Sequence, residues 1–507
     1  MNASAAQART LAKEGPGSSR RAWAGLWVLA AALAMIVLDG TIVSVALPSI
    51  IADLRLDLTD AQWVNSLYSM VFAALLLTAG RVGDRWGRRR LLLIGVTVFV
   101  VGSVFAALAG DASGLLTARA LQGVGGAMVL PSTLSTVNAT FRGRDRAAAF
   151  GVWGAVMSGA AALGPLLGGF LTQVASWPLV FWINVPIGIA VVIATVLLVE
   201  ESRGTSGDRG VDVVGPLLSA AGLGLIVFGL IESSSLGWWT PQAPLSLFGL
   251  TWPVTAPVSP VPVALGVGTV LLSLFVIVES RRQHSGRATL LDLRLFRLPT
   301  FSLGNATAGL VAVGEFALLF VLPLFLVTSL RLNILTAGLV LAAMATGAFA
   351  SGAAARHVAA RLGPTRVVVL GLALEVVGAA ATALIAAAGG PGWAVAATLV
   401  PYGLGLGLAS AQLTSTTLRD VPTGQSGTGS ATQSTVRQLG AAVGTAVGGT
   451  ALAAGLTTSQ TSTAFADPAA FATASAAAIW VAVAILAVAT VTAVALDRTS
   501  RRHPAAD

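Results

Sequence analysis

Apolar residues come in runs of about 20, broken by short polar stretches, along almost the whole chain. A helix that crosses a bilayer needs about 20 such residues. The runs predict fourteen spans, at 26–48, 62–80, 91–109, 114–138, 147–171, 180–199, 212–232, 258–278, 301–329, 335–355, 366–388, 393–417, 431–455 and 474–496. The expected fold class is an all-α polytopic membrane protein. It has two six-helix bundles, 26–200 and 290–497, and a linker, 201–289, with two extra transmembrane helices. Tails at 1–25 and 498–507 complete the chain. The stretch 233–257, between the two extra helices, carries no charge and holds Trp238, Trp239 and Trp252, which suit a membrane interface.

Composition narrows the classes. Of 507 residues 55% are apolar and 10% charged, against about 25% charged in soluble domains, and mean hydropathy is +0.84. A soluble enzyme, a disordered chain and a coiled coil are excluded, and the loops leave no room for a sizeable soluble domain. No cysteine is present, so disulfides, thiolate metal sites and Cys nucleophiles are excluded. The three histidines, His284, His357 and His503, sit in polar stretches and do not suggest a metal or catalytic centre. The one lysine, Lys13, has no phosphate-binding glycine loop around it. Work done by this chain therefore draws on a gradient or on a separate ATPase.

The net charge of +9 reads as topology and not as a nucleic-acid patch. All but four of the 30 Lys and Arg fall in the N-terminus, in alternate loops and in the C-terminal tail. Arg55 and Arg331 lie on the opposite side, and Arg119 and Arg437 lie inside spans. This places both termini in the cytoplasm and makes the number of spans even. The basic loops also offer a contact for anionic lipid. Heavy use of Arg over Lys, with much Ala and Gly, points to a GC-rich bacterial genome, so the expected site is a bacterial cytoplasmic membrane.

Three acids lie deep in spans: Asp39, Glu315 and Glu375. A charge at such depth is costly and marks a cavity, a partner or a proton site. Arg119, in the fourth span, must find an acid or backbone carbonyls, and near Asp39 the two would exchange between pairing and separation. Arg437 and Gln438 begin the thirteenth span, as a second polar contact or as interfacial residues. Three deep acids against two deep arginines favour cationic substrates. Gly80, Gly83, Asp84, Arg85, Gly87 and Arg88 join spans 2 and 3; an ordinary basic loop explains the arginines but not the spaced glycines and the acid. Gly159, Gly164, Pro165, Gly168 and Gly169 fall in one span, where small residues allow close helix approach. The halves echo each other: Gly164 through Gly169 resembles Gly444 through Gly449, and Arg85-Trp86-Gly87 resembles Arg361-Leu362-Gly363. Internal repeats of this kind mark secondary transporters.

Together these motifs resemble the major facilitator superfamily, and within it the 14-span drug:proton antiporters of the EmrB/QacA type. The Gly80 to Arg88 run is similar to that superfamily's motif A, the Arg119 stretch to motif B, and Gly164-Pro165 to the antiporter motif C. Further similar stretches are Phe181 through Gly188, Leu290 through Phe296 and Gly427 through Gly449. The resemblance implies a major facilitator fold and proton-driven export of hydrophobic drugs or antibiotics, cationic ones among them. It implies proton coupling at Asp39 and Arg119, cytoplasmic gating at Asp84 and Arg85, and antiport at motif C. Glu315 and Glu375 are further candidates for proton or substrate binding, and Asn184, Gln412, Arg437 and Gln438 for polar cavity contacts. Two departures are visible: Pro178 follows Trp177 where relatives commonly have Arg, and Ala360 stands where the first half has Asp84, which predicts asymmetric gating. The expected partners are a small hydrophobic drug, protons and membrane lipid, with no cofactor, no nucleic acid and a monomeric state. Competing readings are a dedicated exporter of one endogenous metabolite or self-made antibiotic and, more remotely, a non-transporting membrane sensor. A membrane enzyme is disfavoured because no nucleophile–base pair or metal cluster appears.

Overall fold

A computed structural model describes residues 20–141, 143–203, 214–247, 250–285, 289, 291–422, 426–457 and 467–502. The expected N-terminal tail up to residue 19, Arg142, Arg209, Arg287, Leu290 and the tail from His503 lie outside the described residues. Fourteen long helices follow one another among the described residues. They are α1 Arg20–Leu54, α2 Leu58–Trp86, α3 Arg88–Ala107, α4 Ala112–Thr140, α5 Gly143–Val174 and α6 Leu179–Leu198 (broken at Ile183); then α7 Val214–Leu236 and α8 Pro260–His284; then α9 Pro299–Thr328, α10 Ile334–Leu362, α11 Pro364–Ala387, α12 Gly392–Thr417, α13 Ser426–Thr457 and α14 Pro468–Arg502. Twelve of them are long and apolar enough to cross a membrane. The other two are α4 and α5, of 29 and 32 residues. α4 is held below that hydropathy by its own polar residues, Arg119 and Gln122 among them, which face inward and are buried. Between α7 and α8 the loop forms a small antiparallel hairpin, Leu245–Leu247 with Leu250–Trp252, the one non-helical element of an otherwise all-helical fold among the described residues.

The two halves are copies. A constant shift of 276 residues carries Arg55 onto Arg331, the two non-glycine residues with positive φ among the described residues (53° and 54°). The same shift carries Asp57 onto Asn333, which cap α2 and α10 through hydrogen bonds from Asp60 N–H and Thr336 N–H. It also carries Gly87 onto Gly363, whose φ values of +120° and +87° turn the chain sharply into α3 and α11. Only glycine takes such angles without steric cost. From α4 onward the shift is 280 residues, and the seams between halves obey it. Gly169 of α5 meets Gly338 of α10, and its image Gly449 of α13 meets Gln62 of α2, with a Cβ on either glycine impossible without displacement. These crossings rest on small residues, as association between helices in lipid requires.

The core is distributed unevenly along the bundle. At the end carrying the α1–α2 and α9–α10 turns, one apolar core holds Leu47, Ile50, Phe181, Phe320, Leu326 and Phe471, so it belongs to both halves. At the end carrying the chain termini the cores are separate: Leu29, Phe72, Val96 and Val137 in the first half, Val311, Val368, Leu413 and Ala489 in the second. The extra helix α7 lies along the α2–α13 seam. Its Val227 and Ile231 pack with Ala442 and Ala446 of α13. Its Glu232 accepts a hydrogen bond from Trp63 Nε1 of α2 at 2.9 Å, and its Leu230 carbonyl accepts one from Thr450 Oγ1 of α13 at 2.8 Å.

Candidate functional site

The polar centre of the first half is assembled from five helices. Arg119 of α4 donates from Nη1 to Asp39 Oδ2 of α1 at 2.6 Å, with the side chains 1% and 0% exposed. The same Nη1 reaches Gln122 Oε1 at 2.9 Å, and Nε donates to the Val64 carbonyl of α2 at 3.1 Å. Asp39 Oδ1 accepts from Gln122 Nε2 at 3.0 Å and from Asn184 Nδ2 of α6 at 2.9 Å. Ser103 of α3 closes the ring: its Oγ accepts from Gln122 and Asn184 and donates to the Phe99 carbonyl. The Arg119 guanidinium stacks 4.3 Å from the Tyr68 ring centroid, an arrangement worth about 2 kcal/mol when water is excluded. The carboxylate thus has three donors and a full counter-charge. That is how a charge tolerates such depth.

The second half places an acid at the equivalent position, because the 276-residue shift carries Asp39 onto Glu315. Its partner differs. Glu315 Oε2 lies 3.7 Å from Arg437 Nη2 of α13, and the side chains are 13% and 31% exposed. Glu375 of α11 is fully buried, and neither carboxyl oxygen has a hydrogen-bond partner among the described residues. The hydroxyl of Tyr402, the repeat image of Gln122, is likewise buried without one. Glu375, Glu315, Arg437 and Tyr402 lie within electrostatic range of one another.

The remaining candidates separate. Across the α2–α3 turn Asp84 pairs with Arg88 at 2.8 Å, and Arg88 also donates to the Ser135 carbonyl of α4. Gly83 packs on Leu91, Gly80 makes ordinary contact with Pro131, and Gly87 lies beneath the Glu201 carboxylate. Arg85 is exposed. In α5 Gly164 and Gly168 press on Thr41, Ile42 and Val45 of α1, and Pro165 offers its carbonyl side to Gly338. Gly159 differs from the expectation of close packing: nothing among the described residues lies within 4 Å of its Cβ position. Asn184, expected to line a cavity, is buried in the Asp39 network instead. Gln412 and Gln438 are half-buried, and neither side chain hydrogen-bonds to a residue of either centre among the described residues.

Gln122, Ser103 and Tyr68 were not singled out in the sequence. Uncharged polar residues recur throughout these spans, and only their spacing from Arg119 hinted at Gln122, one turn on. Asp53 was missed as well; it accepts from Trp177 Nε1 at 2.6 Å and ties α1 to the α5–α6 turn.

Two repeated six-helix bundles, each with an acid–arginine pair between its helices, define a multi-pass membrane transporter. The profile of the Major Facilitator Superfamily matches residues 29–445, and the chain belongs to that family. It is a family of transporters and not of enzymes. The chain is 33% identical over 462 residues to the probable actinorhodin transporter of Streptomyces coelicolor, covering 90% of this chain and 76% of that one. It is 35% identical over 459 residues to the multidrug efflux pump LfrA of Mycolicibacterium smegmatis, covering 88% and 85%. To the tetracenomycin C resistance and export protein of Streptomyces glaucescens it is 30% identical over 437 residues, covering 86% and 77%. Among solved structures, the fold is shared with an autoinhibited POT family peptide transporter at a TM-score of 0.66 and 15% identity, covering 96% of this chain and 98% of that one. It is also shared with a bacterial homologue of the human lysosomal transporter Spinster at a TM-score of 0.63 and 18% identity, covering 96% and 100%.

Proposed function

We propose that the chain is a proton-coupled antiporter that exports hydrophobic drugs or antibiotics, cationic ones among them, across a bacterial cytoplasmic membrane. The observation that carries this reading is the pair of acid–arginine couples at repeat-related depths, Asp39–Arg119 and Glu315–Arg437. A drug exporter needs buried groups whose charge changes as the halves move. Similarity to antibiotic and multidrug efflux proteins supports the substrate class. In this reading α4 and α5 cross the membrane with the other twelve helices, giving 14 spans, and both termini are cytoplasmic. The bundles 26–200 and 290–497 rock about the centre, linked by 201–289, in a monomer. In this reading the core shared at the turn end lies on the outer side, and the separate cores at the terminal end lie on the cytoplasmic side, where the halves part. Asp39 and Arg119 couple proton to drug, with Glu315 and Glu375 beside the same path. Asp84, Arg85 and Arg88 with Gly80, Gly83 and Gly87 form the cytoplasmic gate. Gly164, Pro165, Gly168 and Gly169 hold α5 on α1, and Gln412, Arg437 and Gln438 offer polar contacts to drug.

The test is ethidium efflux from cells expressing the chain, with and without a protonophore, beside Asp39→Asn. Efflux lost in both treatments supports the reading. Efflux that survives the protonophore sinks proton coupling. A second reading, export of a single self-made antibiotic, is favoured by similarity to the actinorhodin and tetracenomycin C proteins. It predicts no ethidium efflux and transport of one compound alone.

A further inference from the structure

Where glycine meets glycine on one side of the bundle, glycine meets an amide on the other. At the α5–α10 crossing a Cβ on Gly169 would stand 3.3 Å from the Gly338 Cα, so two backbones touch there. The repeat carries Gly169 onto Gly449 of α13, and it relates Gly338 to Gln62 of α2 through the 276-residue shift. A Cβ on Gly449 would overlap Cγ, Cδ and Nε2 of Gln62. The amide side chain is therefore wedged flat against the glycine, in a crossing whose copy holds backbone alone.

No hydrogen bond reaches that amide. Gln62 is 0% exposed, and neither Nε2 nor Oε1 has a partner among the described residues. Leu58, Ala61 and Val64 beside it on α2, and Leu452 of α13, belong to the apolar core that both halves share. The polar groups next to it are satisfied. Trp63 Nε1 donates to Glu232 of α7 at 2.9 Å, and Thr450 Oγ1 donates to the Leu230 carbonyl of α7 at 2.8 Å. One turn further along α2, Ser66 Oγ donates to the Ala442 carbonyl of α13 at 3.2 Å. The crossing is hydrogen-bonded on either side of Gln62 and dry at it.

An amide offers two N–H donors and an acceptor oxygen with two lone pairs. Burying it without partners weighs against the buried form by roughly five- to a hundredfold in an equilibrium constant. A group biases a conformational equilibrium only when its interactions differ between the two forms. Gln62 meets that condition. With α2 against α13 its amide is unpaired; with the two helices parted at this end, water reaches it. A glycine, as at Gly338, carries no such difference.

We propose that Gln62 is a spring set into the α2–α13 crossing. Its unpaired amide disfavours the closed form at the end carrying the α1–α2 and α9–α10 turns, and keeps that end from locking. It works against the hydrogen bonds that α7 makes to the adjoining residues, Trp63 and Thr450. The existence of two forms rests on the rocking of the bundles given under Proposed function; proton coupling and the identity of the drug do not enter.

The test is double electron–electron resonance on the full chain in lipid nanodiscs. The chain has no cysteine, so spin labels attach only at Leu108→Cys and Ala388→Cys, exposed positions at this end of the first and second halves. Without a change at Gln62 the labelled chain shows a short and a long distance. Gln62→Met and Gln62→Leu keep an apolar side chain of similar size without the amide, and each lowers the long-to-short ratio by roughly five- to a hundredfold. A short distance alone before any change at Gln62 overturns the proposal, and so does an unchanged or raised ratio in either variant. A ratio that falls in Gln62→Ala and not in Gln62→Met shows that volume acts and the amide does not, which also overturns it. Ethidium efflux separates this result from the transport reading. A ratio that falls as stated in a chain without proton-driven efflux supports the spring and sinks the coupling; an unchanged ratio in a chain that exports ethidium overturns the spring alone.

Discussion

Separating Asp39 from Arg119 by substitution tests whether the five-helix centre is one coupled unit. At 2.6 Å and an effective dielectric of about 20, the gross attraction between the charges is about 6 kcal/mol. Most of it offsets the cost of removing both ions from water, so the pair adds little over an apolar substitute, while stranding either charge costs about 3–5 kcal/mol. Asp39→Asn leaves Arg119 with only the Val64 and Gln122 oxygens and a neutral amide. Arg119→Gln strands the carboxylate with two amide donors. At roughly 2–4 °C per kcal/mol for a unit of bundle size, each single variant melts about 6–20 °C below the wild type. The double variant recovers most of that loss. Detergent-solubilised protein, melted and followed by size-exclusion fluorescence, supplies the four corners of the cycle. Arg437→Gln is the control: its pair is 3.7 Å apart and the arginine is about a third exposed, so the expected loss is about 1 kcal/mol. If the two single losses simply add in the double variant, the centre is not coupled and the argument fails.

Two further outcomes follow from the geometry. Glu375→Leu removes a fully buried carboxyl with no hydrogen-bond partner, so the melting temperature rises by the equivalent of about 1–3 kcal/mol while gradient-driven efflux falls; a lower melting temperature refutes the assignment of an unsatisfied group. Asp111 caps α4 by accepting from Gly114 N–H at 2.7 Å, which holds its carboxyl below the ordinary value of 3.8. A depressed value means stability present above pH 3.8 and lost as the pH falls through the folded one. Asp111→Ala therefore lowers the melting temperature at pH 7, and the gap to the wild type closes in acid; a gap independent of pH contradicts this.

Much of the molecule was legible from hydropathy and residue identity. Runs of about 20 apolar residues located the helices, because lipid forces backbone groups to pair within each segment. Asp39, Arg119 and Glu315 stood out because charge is rare at such depth. What stayed hidden was partnership across helices. Asp39 and Arg119 are 80 positions apart, and Glu315 and Arg437 come from helices whose facing sides depend on packing. The echo of glycines was visible near Gly87 and Gly164, but the image of Asp39 in Glu315 emerged only when the turns at Arg55 and Arg331 fixed the register. Gly159 shows the converse: a small residue in a glycine-rich helix where an added Cβ would meet nothing within 4 Å among the described residues, so spacing alone does not mark a close approach.

The two seams between the halves are not equivalent, although the repeat makes their backbones so. The α5–α10 seam presents Phe170 and Leu339 outward, half exposed, whereas the α2–α13 seam carries α7, hydrogen-bonded to both sides at Trp63 and Thr450. Parting α2 from α13 at that end means that α7 lets go of one of them. The segment that links the two halves along the chain is thus also a brace across one of their two joints. If the halves rock as proposed, residues of α7 that lie far from Asp39 and Arg119 contribute to the energy of that motion.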